Sequence, residues 1–196
     1  MFTADDYART ELVYDVSKAA HRFQKRKSCD ANGVPIRYFE HSRGTALILM
    51  DELGIADPVM TQALLLHDVP EDSKYLRERH IRILAGDQVA FIVRLLTKDP
   101  LDGYLDRLWT YGDWRVLVCK GCDRLYNLRD LAGTNEKFQR KQIGETREKY
   151  LPLFRHMVDI TPAGPLRLKA QKLHDMIFAI VGSYETKWLN APAHTP

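Results

Sequence analysis

The sequence has few of the features that define secreted, membrane-spanning or nucleic-acid-binding proteins. Its 196 residues include only three cysteines, an odd number that does not suit a disulfide framework. No apolar run approaches the ~18 residues that a membrane helix needs. The first residues, Met1 to Asp6, lack a basic head followed by an apolar stretch, so we expect no signal peptide. These absences predict a protein of the reducing cytoplasm that does not contact a membrane.

Excess charge of one sign is also scarce. The net charge of +3 is too small to indicate nucleic-acid binding, and it only mildly favours an anionic small-molecule substrate. A content of 45% hydrophobic and 28% charged residues is typical of a globular protein. The length suits one domain, which we place at residues 1–190, with a disordered tail at 191–196.

Strand-like alternation is nearly absent, and helical periodicity dominates the chain. Residues 29–35 have the composition of a loop, and Asp57 followed by Pro58 is typical of a helix start. We predict helices over about 4–27, 39–53, 58–68, 74–84, 87–97, 101–110, 115–131 and 136–158, and a last helix after a break at 161–165. The sequence therefore predicts a compact all-α fold of many helices.

The pair His67-Asp68 closes the apolar run Ala63–Leu66 and is the strongest chemical signal in the chain. A lone histidine on a helix is more often a satisfied core residue than a metal ligand. An unpaired carboxylate at the end of a buried helix is costly, however, and a cation would neutralise it. His41 and Asp123 are further candidate ligands, and a mixed imidazole and carboxylate set suits a first-row divalent ion.

Glu71 and Asp72 follow Pro70, just beyond the His-Asp pair. Their distance from the helix end favours contact with an ion-bound water over direct coordination, so they are candidates for proton transfer. The alternative is an ordinary solvated acidic pair at the start of a new helix.

Four separated motifs follow one another along the chain. Ala20–Ser28 reads AHRFQKRKS, Ala63–Ser73 reads ALLLHDVPEDS, Lys120–Arg129 reads KGCDRLYNLR, and Glu145–Leu153 reads ETREKYLPL. Their types and order resemble the RelA/SpoT-type branch of the HD-domain metal phosphohydrolases, over residues 15–155. That branch removes the 3′-pyrophosphate of the guanosine alarmones (p)ppGpp. The resemblance implies an HD-domain fold and an enzyme that yields GDP or GTP and pyrophosphate.

The resemblance also implies which residues form the catalytic centre. His41, His67, Asp68 and Asp123 would hold one Mn²⁺, or another divalent first-row metal. Glu71 and Asp72, the other two residues of this centre, would orient or deprotonate the attacking water.

The same resemblance assigns nucleotide-binding residues. Arg26, Lys27 and Ser28 would receive the nucleotide, because a guanidinium can stack on a purine and a lysine can meet phosphate. Taken without the resemblance, these residues are more simply a basic, solvated helix end.

Further substrate contacts would come from two later motifs. Asn127 lies four residues after Asp123 and shares its helix face, so it can reach ribose or base. Arg124 points elsewhere, toward a phosphate or a structural acid. Tyr150 would line the same site or fill the core.

Three departures from the family pattern bear on substrate choice. The segment Cys29–Ser42 is longer than usual and ends in Ser42 where the family has proline. This segment borders the base site, so adenine alarmones stay open beside guanine ones. Ser73 replaces a threonine and keeps the hydroxyl. Cys119 and Cys122 stand where aliphatic or small residues are usual.

Other functions remain open at this point. The chain ends where a bifunctional relative would continue into a synthetase domain, so we expect the hydrolase-only branch. An HD phosphohydrolase acting on (p)ppApp or a nucleoside monophosphate is the main alternative, and a non-catalytic nucleotide sensor is another. Cys119-x-x-Cys122 has the spacing of a redox or zinc motif, but a buried helical pair of small apolar side chains explains it better. The oligomeric state is not predicted.

Overall fold

Helices make up most of the computed structural model, which describes residues 2–29, 32–73, 75–98 and 103–190. The α-helices are α1 (Ala4–Ala20), α2 (Phe39–Leu47), α3 (Pro58–Leu66), α4 (Val69–Asp72), α5 (Glu78–Ala85), α6 (Asp87–Leu96), α7 (Tyr104–Tyr111), α8 (Trp114–Arg129), α9 (Glu136–Glu145), α10 (Leu151–Ile160) and α11 (Pro165–Leu189). The π-helical segments Ile48–Glu52 and Thr146–Tyr150 extend α2 and join α9 to α10, and the 3₁₀ segment Asp130–Gly133 extends α8. The predicted all-α class is confirmed.

A small hairpin interrupts this row of helices. Strands β1 (Lys25–Cys29) and β2 (Pro35–Arg37) pair antiparallel, with Lys25 opposite Arg37, Cys29 opposite Pro35 and an irregularity between. The predicted helix over residues 4–27 is therefore wrong beyond Ala20. The run KRKS at 25–28 has no apolar side chain, so continuing the helix would bury nothing.

Helix α3 is the buried centre of the fold. The predicted cap is confirmed, because Asp57 Oδ1 accepts a hydrogen bond from the Met60 N–H at 3.0 Å. Every residue from Met60 to Leu66 is buried, so this helix is enclosed on all sides. Its two polar side chains are satisfied, since Thr61 donates to the Asp57 carbonyl at 2.9 Å and Gln62 to Thr10 Oγ1 at 3.0 Å.

Helix α8 packs against α2, α3, α10 and α11. At Gly121 the backbone of α8 comes so close to α11 that an added Cβ would lie 2.6 Å from Leu173 Cδ2. The apolar run Val116–Cys119 is fully buried. This packing fixes the position of Asp123, one helical turn further on, at the edge of the core.

In the described ranges, no helix combines the length and the apolar character needed to cross a membrane. The tail predicted at residues 191–196 lies outside the described residues.

Candidate active site

Four side chains from three helices converge at the point where α3 ends. His41 comes from the first turn of α2, His67 and Asp68 directly follow α3, and Asp123 comes from α8. His41 Nε2 lies 3.2 Å from His67 Nε2, 3.4 Å from Asp68 Oδ2 and 3.2 Å from Asp123 Oδ1. His67 Nε2 lies 3.2 Å from Asp68 Oδ2 and 3.7 Å from Asp123 Oδ1. The structure thus brings together the residues that the sequence predicts as metal ligands.

The hydrogen bonding of His67 determines which of its ring nitrogens faces the cluster with a lone pair. Its Nδ1 lies 2.7 Å from the carbonyl oxygen of Leu64. Because a carbonyl only accepts, Nδ1 carries the proton, and the neutral ring presents a lone pair at Nε2. That lone pair faces the second imidazole and two carboxylates, an arrangement that is stable only around a positive charge.

The pKa directions agree with this demand for a cation. Burial works against ionisation of Asp68, yet His67 and His41 hold the pKa of its carboxyl well below the ordinary value. Burial also opposes ionisation of Asp123, but Lys120 and the two histidines lower its pKa well below the usual range. Although burial disfavours a charged His67, the two carboxylates raise its pKa well above normal. The cluster therefore attracts a proton or a metal ion.

The donor set fits a divalent ion of the first transition row. One ligand atom each from His41, His67 and Asp123 lies within 4.8 Å of the other two, and all three residues are buried. Asp68 Oδ2 adds a carboxylate oxygen close to both imidazoles. Imidazole nitrogen and carboxylate oxygen together suit manganese, iron or zinc.

Two residues that the sequence analysis missed hold the carboxylates in place. The Tyr38 hydroxyl donates to Asp68 Oδ2 at 2.7 Å, and burial, with Asp68 beside it, raises the pKa of Tyr38 far above its usual value. The buried Lys120 ammonium donates to Asp123 Oδ2 at 2.7 Å. Lys120 stands three residues before Asp123 on one helix, a spacing that could have indicated the contact. Tyr38 carried no such local signal.

A cavity of about 480 Å³ opens beside the cluster. His41, Asp68 and Asp123 contribute to its wall. Its cationic lining comes from five side chains, Lys25, Arg26, Lys98, Lys120 and Arg124. The carboxylates of Asp68, Glu71, Asp123 and Asp130 line it too, so a space of this size with cations beside a candidate metal site suits a phosphorylated small molecule.

The predicted proton-transfer residues lie on the short helix α4 and differ in their surroundings. Glu71 lines the cavity, and its Oε1 accepts a hydrogen bond from the Lys98 backbone N–H at 2.5 Å. Asp72 is not part of the cavity wall, and its Oδ2 lies 3.6 Å from His21 Nδ1. Burial and the nearby Asp68 carboxylate raise the pKa of Glu71 and of Asp72. Raised values bring a carboxylate closer to proton exchange at neutral pH.

The predicted nucleotide-binding segment lies on β1, where it is tied to the end of α8. Arg26 donates to Asp130 Oδ2 at 2.8 Å and to Asn127 Oδ1 at 2.9 Å, and Ser28 donates to the same Asp130 oxygen at 2.8 Å. Arg26, Ser28 and Asn127 all line the cavity. The side chain of Lys27, the remaining predicted residue, lies outside the described part of the chain.

Asn127 connects the nucleotide segment to the metal cluster. Its side-chain amide donates to Asp123 Oδ1 at 2.7 Å while its oxygen accepts from Arg26. The guanidinium of Arg26 lies 5.5 Å from the centre of the Tyr126 ring and 5.8 Å from that of Tyr38. One continuous set of contacts therefore runs from β1 to Asp123, a candidate metal ligand.

Arg124 and Tyr150 are placed less favourably for substrate contact. Arg124 lines the cavity but donates to Thr146 Oγ1 at 2.9 Å and pairs with Glu145 at 3.3 Å, so it meets the structural acid that was one of its two predicted partners. Its guanidinium lies 4.3 Å from the centre of the Tyr150 ring. Tyr150 is 4% exposed, stacks on Phe154 and is not part of the cavity wall.

The cysteines take no part in this centre. Cys119 and Cys122 are fully buried on α8, and burial raises the pKa of both thiols. Cys119 Sγ lies 3.9 Å from the Met60 carbonyl oxygen. These surroundings are those of small core side chains.

Comparisons with known proteins give related sequences and a similar structure. The chain is 35% identical over 181 residues to a GTP pyrophosphokinase of Streptomyces coelicolor, covering 87% of this chain and 20% of that protein. It is 35% identical over 127 residues to the guanosine-3′,5′-bis(diphosphate) 3′-pyrophosphohydrolase MESH1 of Mus musculus, covering 62% of this chain and 69% of that protein. The chain thus spans about a fifth of the streptomycete relative's length. No family model matches.

A solved structure resembles the whole fold. It is described as a metazoan orthologue of SpoT that hydrolyses ppGpp and plays a role in starvation responses. The TM-score is 0.68 at 25% identity, and the likeness covers 94% of this chain and 98% of that one. The likeness therefore extends over nearly the whole chain.

Proposed function

Because the chain belongs to the family of RelA/SpoT-type HD-domain hydrolases, we propose that it removes the 3′-pyrophosphate of guanosine alarmones. The products are GDP from ppGpp, or GTP from pppGpp, and pyrophosphate. The relatives named as 3′-pyrophosphohydrolases and the ppGpp-hydrolysing structural neighbour support this substrate class.

The observation that carries the proposal is the placement of the His41, His67, Asp68 and Asp123 cluster at one wall of a cationic cavity. A pure binding site for a nucleotide needs the cationic wall but has no use for two buried imidazoles facing two carboxylates. A hydrolase needs both features, because the nucleophile must be generated where the phosphate binds.

We propose that these four residues hold one Mn²⁺. The ion supplies Lewis acidity, lowering the pKa of a bound water and polarising a phosphoryl oxygen. Lys120 donates a hydrogen bond to Asp123 Oδ2, and Tyr38 donates one to Asp68 Oδ2. These hydrogen bonds limit how either carboxylate can rotate. Such supporting contacts keep ligands oriented before the substrate arrives.

Glu71 and Asp72 handle the proton of the attacking water in this proposal. The water attacks the phosphorus nearest the ribose, the bond from that phosphorus to the 3′ oxygen breaks, and the 3′ oxygen takes up a proton. Glu71 lines the cavity and its carboxylate is fixed by the Lys98 N–H, so it is the better placed of the two to accept the water proton.

Nucleotide recognition rests on the cationic side chains of the cavity wall. Arg26, held edge-on by Asp130 and Asn127, offers a guanidinium face on which a purine can stack. Lys25 and Lys98 supply positive charge for the 5′ and 3′ phosphates. Lys27 completes the segment in this proposal. We also propose that the enzyme needs no partner macromolecule and acts in the cytoplasm, where its three unpaired cysteines would stay reduced.

Substrate incubations with product analysis test the proposal directly. The protein is incubated with ppGpp, pppGpp, ppApp and deoxynucleoside monophosphates, each with Mn²⁺ or with chelator. We expect pyrophosphate from the 3′-pyrophosphorylated nucleotides alone, and only when the metal is present. Orthophosphate from the monophosphates would identify a nucleotidase instead, and no turnover of any substrate would indicate a sensor. Equal rates with ppApp and ppGpp would contradict a guanine preference.

A further inference from the structure

One buried histidine beside the candidate active site has no role in the mechanism above. His21 is 1% exposed, lies just after α1, and is not part of the cavity wall. Its backbone is fixed from both sides, since its N–H donates to the Ser17 carbonyl at 3.1 Å and its own carbonyl accepts from Gln24 at 3.0 Å. The position of the ring is therefore determined by the turn that leads into β1.

The contacts of the ring define which nitrogen carries the proton. Nδ1 lies 2.6 Å from Gln24 Oε1 and 3.6 Å from Asp72 Oδ2. An amide oxygen accepts, so Nδ1–H donates to Gln24 Oε1, while Asp72 Oδ2 lies near the same ring nitrogen at ion-pair distance. Nε2 is buried, and no group within the described residues hydrogen-bonds to it. A buried imidazole held in this way faces Asp72 with a donor.

The same ring also contacts the support of the metal cluster. Its centroid lies 4.9 Å from that of Tyr38, with the planes tilted by 34°. The Tyr38 hydroxyl in turn donates to Asp68 Oδ2 at 2.7 Å. His21 therefore lies between the carboxylate that would meet the attacking water and the tyrosine that orients a metal ligand.

We propose that His21 is a positioning residue for Asp72, whose carboxylate it orients toward the attacking water. Gln24 fixes the imidazole, and the N–H edge of the imidazole attracts the carboxylate electrostatically across 3.6 Å. Asp72 otherwise has a solvent-exposed side, with 31% of its side chain accessible, and would sample several orientations. The expected effect on kcat rests on the proposed hydrolytic function. The expected effect of His21 on the Asp72 carboxylate does not.

The charge relation supports this role. Burial and Asp68 raise the pKa of the Asp72 carboxyl, whereas His21, His67 and His41 lower it. Among these histidines, His21 has no other carboxylate within ion-pair distance in the described part of the chain. Its effect is thus directed at Asp72.

Kinetic comparison of two substitutions gives the first test. His21→Leu removes the donor, whereas His21→Asn keeps an N–H close to the position of Nδ1. We expect His21→Leu to lower kcat roughly 10- to 100-fold, the scale of a misplaced reacting group, with KM and Mn²⁺ affinity little changed, and His21→Asn to recover much of the loss. In the Asp72→Asn background, His21→Leu should have no further effect on kcat. A full additional loss in that background would overturn the proposal.

A second test needs no turnover. The Asp72 side-chain carboxyl is followed by ¹³C NMR in metal-free protein and is assigned by its loss in Asp72→Asn. Its titration midpoint should rise in His21→Leu, because Asp68 still raises the pKa of Asp72 while the His21 imidazole, which lowers that pKa, is absent. An unmoved midpoint would overturn the proposal whatever substrate the enzyme uses. His156→Leu, which removes an imidazole stacked on Trp109 at 4.9 Å, is the matched control and should change neither kcat nor this midpoint.

Discussion

Asp68 Oδ2 is the atom on which the candidate metal centre depends most at the scale of single residues. It lies close to both imidazoles and accepts the Tyr38 hydroxyl, so removing it breaks three contacts at once. Its backbone position is equally constrained, because His67 on its N-terminal side is tied to the Leu64 carbonyl.

We predict that Asp68→Ala and His67→Ala each abolish both bound metal and turnover. The remaining ligands cannot offset the loss of a carboxylate or imidazole from a set of four. Elemental analysis of the purified variants and pyrophosphate release measure the two effects. Asp72→Ala, which removes a carboxylate outside the cluster, should keep its metal. Normal activity in Asp68→Ala would contradict the site.

Glu71→Gln should separate proton transfer from metal binding. The amide keeps the size of the side chain and can still accept the Lys98 N–H, but it cannot take a proton from water. We expect kcat to fall by roughly 10²- to 10⁴-fold, the usual scale for a lost general base, with metal content unchanged. Loss of the metal in this variant would instead make Glu71 a ligand.

The residue types at the site were predictable, but their supports were only partly so. His67-Asp68 and Asp123 stand at the ends of apolar runs, where a charge is visible against its surroundings. Tyr38 and Asp68 are separated by 30 residues, and their hydrogen bond depends on the hairpin that precedes α2. Asp130, which holds Arg26 and Ser28, is likewise a partner from about 100 residues away. No local pattern encodes such contacts.

At the scale of elements, helix ends with a side-chain cap were predicted closely. Asp57 opens α3 as expected, and α8 and α9, capped by Asp113 and Asn135, begin within a residue of the predicted positions. The end of α1 was missed because it is set by contacts elsewhere. The polar run at 25–28 has no capping residue and no helical period, and two of its side chains, Arg26 and Ser28, hydrogen-bond to Asp130 in the 3₁₀ segment after α8.

The close approach of α8 and α11 yields a prediction with a built-in control. Gly121→Ala places a methyl group 2.6 Å from Leu173 Cδ2, a fully buried side chain, and should destabilise the fold by about 1–3 kcal/mol. Gly182→Ala lies on α11 with no atom within 4 Å of the new methyl, so it should stabilise by about 0.5–1 kcal/mol. Urea unfolding of both variants measures the difference. Equal effects would contradict the packing at Gly121.

At the scale of the whole molecule, the charge at the cluster couples metal binding to stability. The pKa of His67 is raised on folding. The stabilisation that comes from protonated His67 is therefore fully present below the unfolded pKa of about 6.5. That contribution is lost as the pH rises through the folded value. The two carboxylates have lowered pKa values, and their contribution is lost only in acid.

We therefore predict that Mn²⁺ raises the Tm more at pH 9 than at pH 6. The metal-free protein loses the His67 proton as the pH rises, whereas the ion keeps a positive charge at the cluster. A ligand at 100 times its Kd stabilises a fold by about 2.7 kcal/mol. Differential scanning calorimetry across this pH range measures the gap. Asp68→Ala should show no gap at any pH, and a gap that narrows toward pH 9 would contradict the linkage.

The enclosure of α3 on all sides also restricts which insertions and deletions the protein can tolerate. One inserted residue in α3 would advance the following backbone by about 1.5 Å and turn it by about 100°. His67 and Asp68 would then point away from His41 and Asp123, and no bend could absorb the error because neighbouring helices surround every turn. Insertions and deletions between Pro58 and Leu66 should therefore abolish metal binding and activity, even where a conservative substitution at the same position is tolerated.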